Sequence, residues 1–414
     1  MRQRLPPALQ ERDFRFLWTG IFSMRFAENM IAVAVGWQVF AIHKDPLDLG
    51  LIGLAEFVPL LVLALPAGHL ADRLPRRLVA ALALAVMVAV AAALLTVTVA
   101  DAQVVWPYFV LAALTGAASA IGWPAYQALT PEVVPPDLVP GAVALRSVAG
   151  QIAVIAGPAV GGLLFAWRPE VVYAVAAVLF AVAGISMAAL HVRSLPNDAS
   201  VGLAGLVGGI RFVWRTRMLL GAITLDLFAV LVGGGIALLP IYAQEILHVG
   251  PVGLGVLRAA PAIGALGAAL ILARRPLRRA AGPTLIAVVV LFGAANIVWG
   301  ASKWLPITLV ALAVAGFVDM VSVNIRSTTV ALVTPNELRG RVGAVEMVFI
   351  SASNELGAFE SGAVAAVIGT VATVVAGGIA TIGIALASIK VFPELARMGK
   401  LEDLRPEPAG SLAA

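Results

Sequence analysis

Residues 25–30 read RFAENM, an arginine, a glutamate and an asparagine set inside a run of Phe, Ile, Ala, Val and Trp. Arg25 and Glu28 are three apart and Asn29 is four from Arg25, so a helix puts all three on one face. Ionisable residues in long apolar stretches are costly in lipid, and they mark substrate paths, ion paths or proton relays. This chain carries a set of them: Arg25, Glu28, Glu56, Arg146, Asp226, Arg258, Asp319, Arg326, Glu346, Glu355 and Glu360. At about 1.5 Å of rise per residue, Glu28, Asp319 and Glu355 fall near the middle of their stretches, as does Gln151. Arg146, Asp226, Arg326 and Glu346 fall in the inner half, and Glu56, Arg258 and Glu360 in the outer half. A midplane carboxylate can load a proton from one side and release it to the other. Glu28, Asp319 and Glu355 are therefore the proton-coupling candidates, and Glu28 leads because Arg25 lies one turn away. Arg25, Asn29, Glu56, Gln151, Asp226, Arg258, Asn324 and Asn354 are candidates to line a small-molecule cavity. Trp37, Trp123, Tyr126 and Phe228 are candidate apolar contacts there. Arg146, Arg326 and Glu346 are candidates for an inner gate.

The elements that position these residues follow from composition. Hydrophobic residues make up 61% of the 414 and charged residues only 12%, about half the charge of a soluble domain; the mean hydropathy is +0.99. Stretches long enough to span a bilayer recur at 14–42, 48–71, 78–99, 105–129, 138–166, 171–190, 218–243, 251–273, 282–302, 305–333, 342–368 and 371–392. The expectation is an all-α membrane protein of twelve transmembrane helices. The net charge is +5, but its distribution argues for membrane topology and against nucleic acid. With the N-terminus inside, the outer loops hold only Lys44, Arg168 and Lys303, and the other loop Lys and Arg are cytoplasmic. That asymmetry places both termini in the cytoplasm, and the first span lacks the short core and cleavage site of a signal peptide. There is no cysteine, which excludes disulfides, thiolate metal sites and cysteine nucleophiles.

The spans divide six and six. The longest polar connection, 191–217, ends in GLAGLVGGIRFVWRTR, an amphipathic segment expected to lie on the inner membrane surface with Trp214 and its arginines at the headgroups. The expected domains are an N-terminal half at 1–190, the linker at 191–217, a C-terminal half at 218–393 and a cytoplasmic tail at 394–414. The halves repeat at about 200 residues: PLDLGLIGLAEF (46–57) resembles PVGLGVLRAAPA (251–262), and ALTPEVVPPDLVPGAV (128–143) resembles ALVTPNELRGRVGAV (331–345). Duplicated six-helix units are a transporter architecture. Spans 3, 6, 9 and 12 carry no charge and are expected at the periphery; helices 1, 4, 7 and 10 are expected to line a central path.

Two motifs carry a family resemblance. GHLADRLPRR (68–77) resembles the G-x-L-A-D-R-x-G-R-R/K signature of the major facilitator superfamily, with Pro75 replacing its second glycine. The resemblance implies a gating role for Gly68, Asp72 and Arg73, with Arg76 and Arg77 kept on the inner side. GPAVGG (157–162) resembles the G-P-x-x-G-G antiporter motif of superfamily exporters, which falls on Gly157, Pro158, Gly161 and Gly162. The stretches FRFLW, GIRFVWRTRMLLGA and TPNELRGRV look most like bacterial exporters related to the enterobactin (siderophore) exporter and drug-efflux pumps. The chain departs from that pattern in span 4. The arginine of many proton-coupled drug exporters would fall near Ala112, so Arg25 or Arg146 would have to take its place.

The resemblance implies two pseudo-symmetric six-helix halves working by alternating access in the bacterial inner membrane. It implies proton-coupled export of an amphipathic small molecule, drug-like or siderophore-like. The expected partners are that substrate, protons and membrane lipid, with the chain a monomer; no nucleic acid, cofactor or metal is expected. An importer and a lysolipid or lipid transporter of the same superfamily are the rival readings. A metal exporter is disfavoured because His43, His69, His191 and His248 sit at span ends, away from the midplane. An enzyme is disfavoured because no nucleophile–base pair or metal-ligand spacing is present.

Overall fold

The computed structural model describes residues 6–192, 203–275, 277, 280–335, 338–401 and 404–405; the side chains of 64–73, 203–206 and 344 lie outside that description. Helices dominate, and no strand occurs among the described residues. The first six are α1 (Arg12–His43), α2 (Pro46–Arg73), α3 (Arg76–Val99), α4 (Trp106–Leu129), α5 (Val139–Trp167) and α6 (Pro169–Ala188). There follow α7 (Leu203–Arg215), α8 (Arg217–Gly233), α9 (Leu239–Ile241), α10 (Gly250–Arg274) and α11 (Ala281–Ala301). The last are α12 (Leu305–Val333), α13 (Arg339–Ile368), α14 (Thr370–Val391) and the short α15 (Pro393–Ala396). Proline in the first turn opens α4, α5, α6 and α12, where its missing N–H costs nothing and its fixed φ suits a helix start.

Among the described residues, ten segments are long and apolar enough to cross a membrane: α2 to α6, α8 with its continuation to Ile246, α10, α11, α12 and α14. The two other long helices, α1 and α13, overlap the expected stretches 14–42 and 342–368. They carry Arg25, Glu28 and Asn29, and Glu346, Asn354, Glu355 and Glu360, and these residues lower their apolarity.

The chain forms two compact units. One comprises Met1–Lys44, Leu51–Ser200 and Val249–Ala259; the other comprises Asp45–Gly50, Val201–His248 and Ala260–Ala414. In the first, Phe14, Leu17, Ile21 and Met24 of α1 pack with Leu84 and Met87 of α3, Tyr126 and Leu129 of α4, and Phe180 and Met187 of α6. In the second, Leu225 and Ala229 of α8 join Leu285 and Val289 of α11 and Val318 and Ile325 of α12. There too, α7 docks through Phe212 and Val213 onto Leu219, Ile223 and Val342, leaving Trp214 exposed.

The sequence repeat returns as a repeat of helix crossings. In the first unit Gly116 of α4 lies against the Glu56 carbonyl of α2; in the second, Gly316 of α12 lies against the Pro261 carbonyl of α10. Gly157 of α5 meets Asn29 of α1, and Gly357 of α13 meets Val230 and Leu231 of α8. Gly162 meets Pro251 within the first unit, and Gly362 meets Pro46 and Gly50 within the second. Corresponding residues are about 200 positions apart, the spacing of duplicated six-helix units.

Span 7 departs from expectation. In place of one helix over 218–243, α8 stops at Gly233, a 3-10 turn covers Gly235–Leu238, and a wide π turn covers Tyr242–Ile246. Three consecutive glycines, Gly233 to Gly235, make the helix weak there. Asn296 of α11 supports the break: its Nδ2 donates to the Gly233 carbonyl at 2.9 Å, and its Oδ1 accepts from Trp299 Nε1 at 2.8 Å.

Candidate functional site

In the first unit, the RFAENM face is built as its spacing requires. Arg25 Nη1 lies 3.3 Å from Glu28 Oε2, and Asn29 Nδ2 donates to the Arg25 carbonyl at 2.8 Å. The Arg25 guanidinium also sits 4.6 Å from the centre of the Trp123 ring, within cation–π range. Tyr126, one turn along α4 from Trp123, is near enough to interact with both charges. The antiporter-like motif positions this face. A Cβ at Gly157 would come within 2.8 Å of the Asn29 Cβ, and one at Gly161 within 2.8 Å of the Met30 Cα. Only glycine lets α5 approach α1 so closely beside Glu28.

Energetics argue that this pair is not there to hold the fold. An i,i+3 pair on one helix contributes about 0.2–0.5 kcal/mol, while each charge at bilayer depth costs about 2.5–3.5 kcal/mol on insertion scales. The side chains keep 34% and 25% exposure.

The second unit holds a different arrangement. Arg326 of α12, only 4% exposed, forms an ion pair with Asp226 of α8 and lies 3.4 Å from Glu346 Oε1 of α13. Asp319, two turns before Arg326 on α12, interacts electrostatically with Asp226 and Arg326. Asp226 lines two small cavities. One is bounded by Arg326, Glu346, Phe349 and Ile350; the other holds Asp319 and Ser322 against Val288, Val289 and Phe292. Among the described residues Asp319 has no ion pair. Three carboxylates thus surround one guanidinium, and a low-dielectric interior requires the excess negative charge to be neutralised.

The other candidates disperse. Glu56 and Arg258 interact electrostatically within the first unit. Arg146 is held by Thr130 Oγ1 at 2.7 Å and Gln127 Oε1 at 2.5 Å, in the other unit from Arg326 and Glu346. Trp37 packs on Phe165, and Gln151 is half-buried on α5. Phe228 and Asn354 are exposed, while Asn324 and Glu355 are half-buried. Of the gating motif, the side chains of Gly68, Asp72 and Arg73 lie outside the described residues. Arg76 forms an ion pair with Glu132, and Arg77 donates to the Leu190 carbonyl at 2.7 Å. Sequence reasoning passed over Glu132, Asn296 and Ser322. The third follows Asp319 by three positions, one helical face, and was legible on that ground. Span 9 was expected at the periphery; α11 does expose Leu291 and Val298, yet its Val288, Val289 and Phe292 also wall the Asp319 cavity.

The family described as Transmembrane secretion effector matches residues 5–408 of the chain. The chain is 30% identical over 409 residues to the multidrug efflux pump Tap of Mycobacterium tuberculosis (strain H37Rv), covering 93% of this chain and 94% of that protein. It is 30% identical over 362 residues to Tap of Mycolicibacterium fortuitum, covering 83% and 87%. Among solved structures, a POT family transporter in complex with 5-aminolevulinic acid superposes with a TM-score of 0.74 at 12% identity, covering 93% of this chain and 97% of that one. That last likeness concerns the fold alone.

Proposed function

The chain belongs to the Transmembrane secretion effector family of major facilitator transporters, a multi-pass membrane transporter and not an enzyme, and on that premise we propose that it exports amphipathic small molecules in exchange for protons. The likeness to the Tap multidrug efflux pumps over nearly the whole chain supports drug efflux as its coarse activity. Proton exchange rests on one observation, the excess of carboxylates around Arg326, with Asp319 in a cavity and, among the described residues, without an ion pair. A proton on Asp319 neutralises part of that excess, and its release restores it, so the charge of the second unit alternates with proton occupancy.

Among the three proton candidates this favours Asp319. Glu28 already has a guanidinium partner at 3.3 Å, whereas Asp319 has no ion pair among the described residues. The reading gives the units separate tasks: substrate contact at Arg25, Glu28 and Trp123, proton carriage at Asp319. Both termini lie in the cytoplasm and the protein sits in the bacterial inner membrane, in keeping with the basic inner loops. Inside-out vesicles test the direction of transport. An acid interior should drive accumulation of a fluorescent amphipathic dye in vesicles carrying the protein, and collapsing the gradient should release it. Accumulation unaffected by collapsing the gradient would contradict proton exchange.

A further inference from the structure

We propose that Arg25 occupies a cation seat formed by Trp123 and Glu28, and that an amphipathic organic cation takes that seat from it during transport. The proposal rests on the exporter reading above and names its substrate class. The seat has the two surfaces that recognise an organic cation in a dry setting, an aromatic face and a carboxylate. The Arg25 guanidinium lies 4.6 Å from the Trp123 ring centre and 3.3 Å from the Glu28 oxygen.

Three features mark this guanidinium as an exchangeable occupant. Arg25 and Glu28 sit on the same helix, so parting them needs a side-chain rotation and no helix movement. Arg25 keeps 34% exposure, which gives that rotation room. Asn29 of the same helix donates to its backbone carbonyl, a bond that does not depend on where the Arg25 side chain sits. A surface for the apolar body of such a cation lies alongside. Trp18, Phe22 and Phe26 recur every fourth residue on α1 and are half-buried, Trp18 stacked on Phe22 at 5.7 Å between ring centres and Phe26 tilted against Phe22 at 5.6 Å. An anion meets the opposite situation: Arg25 is already matched by Glu28, and the face of an aromatic ring repels negative charge.

The test measures binding by fluorescence anisotropy to the full chain in nanodiscs, with rhodamine 6G as cation, fluorescein as anion and Nile red as neutral probe. The wild type should bind rhodamine 6G more tightly than fluorescein. Arg25→Gln removes a tethered competitor, so rhodamine 6G should bind more tightly, by about tenfold if Arg25 holds the seat about nine-tenths of the time. Trp123→Leu should weaken rhodamine 6G and leave Nile red unchanged; this variant keeps the ion pair and decides the matter if Arg25→Gln does not fold. Weaker rhodamine 6G binding in Arg25→Gln, fluorescein preferred by the wild type, or equal loss of both dyes in Trp123→Leu would each overturn the proposal. If binding follows expectation but an imposed pH gradient moves no rhodamine 6G in proteoliposomes, the seat stands and the exporter reading falls.

Discussion

At Arg326, one guanidinium serves two carboxylates directly and a third through space, and it is almost wholly enclosed. Removing the guanidinium would strand buried carboxylates without compensation, at a cost of about 3–5 kcal/mol for such a broken pair. Arg326→Gln should therefore lower the thermal stability of the purified protein markedly. Asp226→Asn leaves Arg326 with Glu346 at 3.4 Å and relieves the excess negative charge, so it should lower stability much less. An Arg326→Gln variant as stable as wild type would show that the guanidinium carries little of the fold. The presence of these charges was legible in the sequence, because each interrupts an apolar span and spacing along one helix is fixed at 1.5 Å per residue. Their partners were not. Depth says nothing about which way a side chain points around its helix, so Asp226 was assigned to the cavity and Arg326 and Glu346 to an inner gate, and only their packing unites the three. Arg25, Glu28 and Asn29 succeeded because all three share a single helix.

At the scale of elements, glycines set which helices touch. A methyl group at Gly161 would meet the Met30 backbone at 2.8–2.9 Å, while one at Gly150, on the same helix, meets nothing within 4 Å. Overpacking of this kind costs about 1–3 kcal/mol. Gly161→Ala should reduce both thermal stability and dye binding, since α1 carries the Arg25 site, and Gly150→Ala should change neither. Equal effects from the two would mean that the close crossing is unimportant. The crossing was half legible: the motif identified the glycines, but their partner on α1 emerges only in three dimensions. The break after Gly233 was legible in three successive glycines but was outweighed by the apolar run around it. Its support, Asn296, was hidden because an uncharged polar residue in an otherwise apolar span carries no sign of what it caps. Asn296→Leu should leave the Gly233 carbonyl unsatisfied, at about 1–3 kcal/mol, and a thermal melt would register the loss.

At the scale of the whole molecule, hydropathy and the repeat made the helical membrane fold legible, because a bilayer leaves few ways to satisfy a spanning backbone. Orientation can be checked directly, since the native chain has no cysteine. Single cysteines at Lys303 and Arg168 should react with an impermeant maleimide in intact cells, and one at Arg211 only after lysis; the reverse pattern would invert the topology. The central claim is that protons drive export through Asp319. It is tested most directly by pH-gradient-driven dye efflux in proteoliposomes, comparing wild type with Asp319→Asn. The amide keeps the shape of the site but cannot carry a proton. The account predicts that Asp319→Asn still binds rhodamine 6G and has lost gradient-driven efflux. Efflux in the variant with the wild-type dependence on the gradient would contradict it.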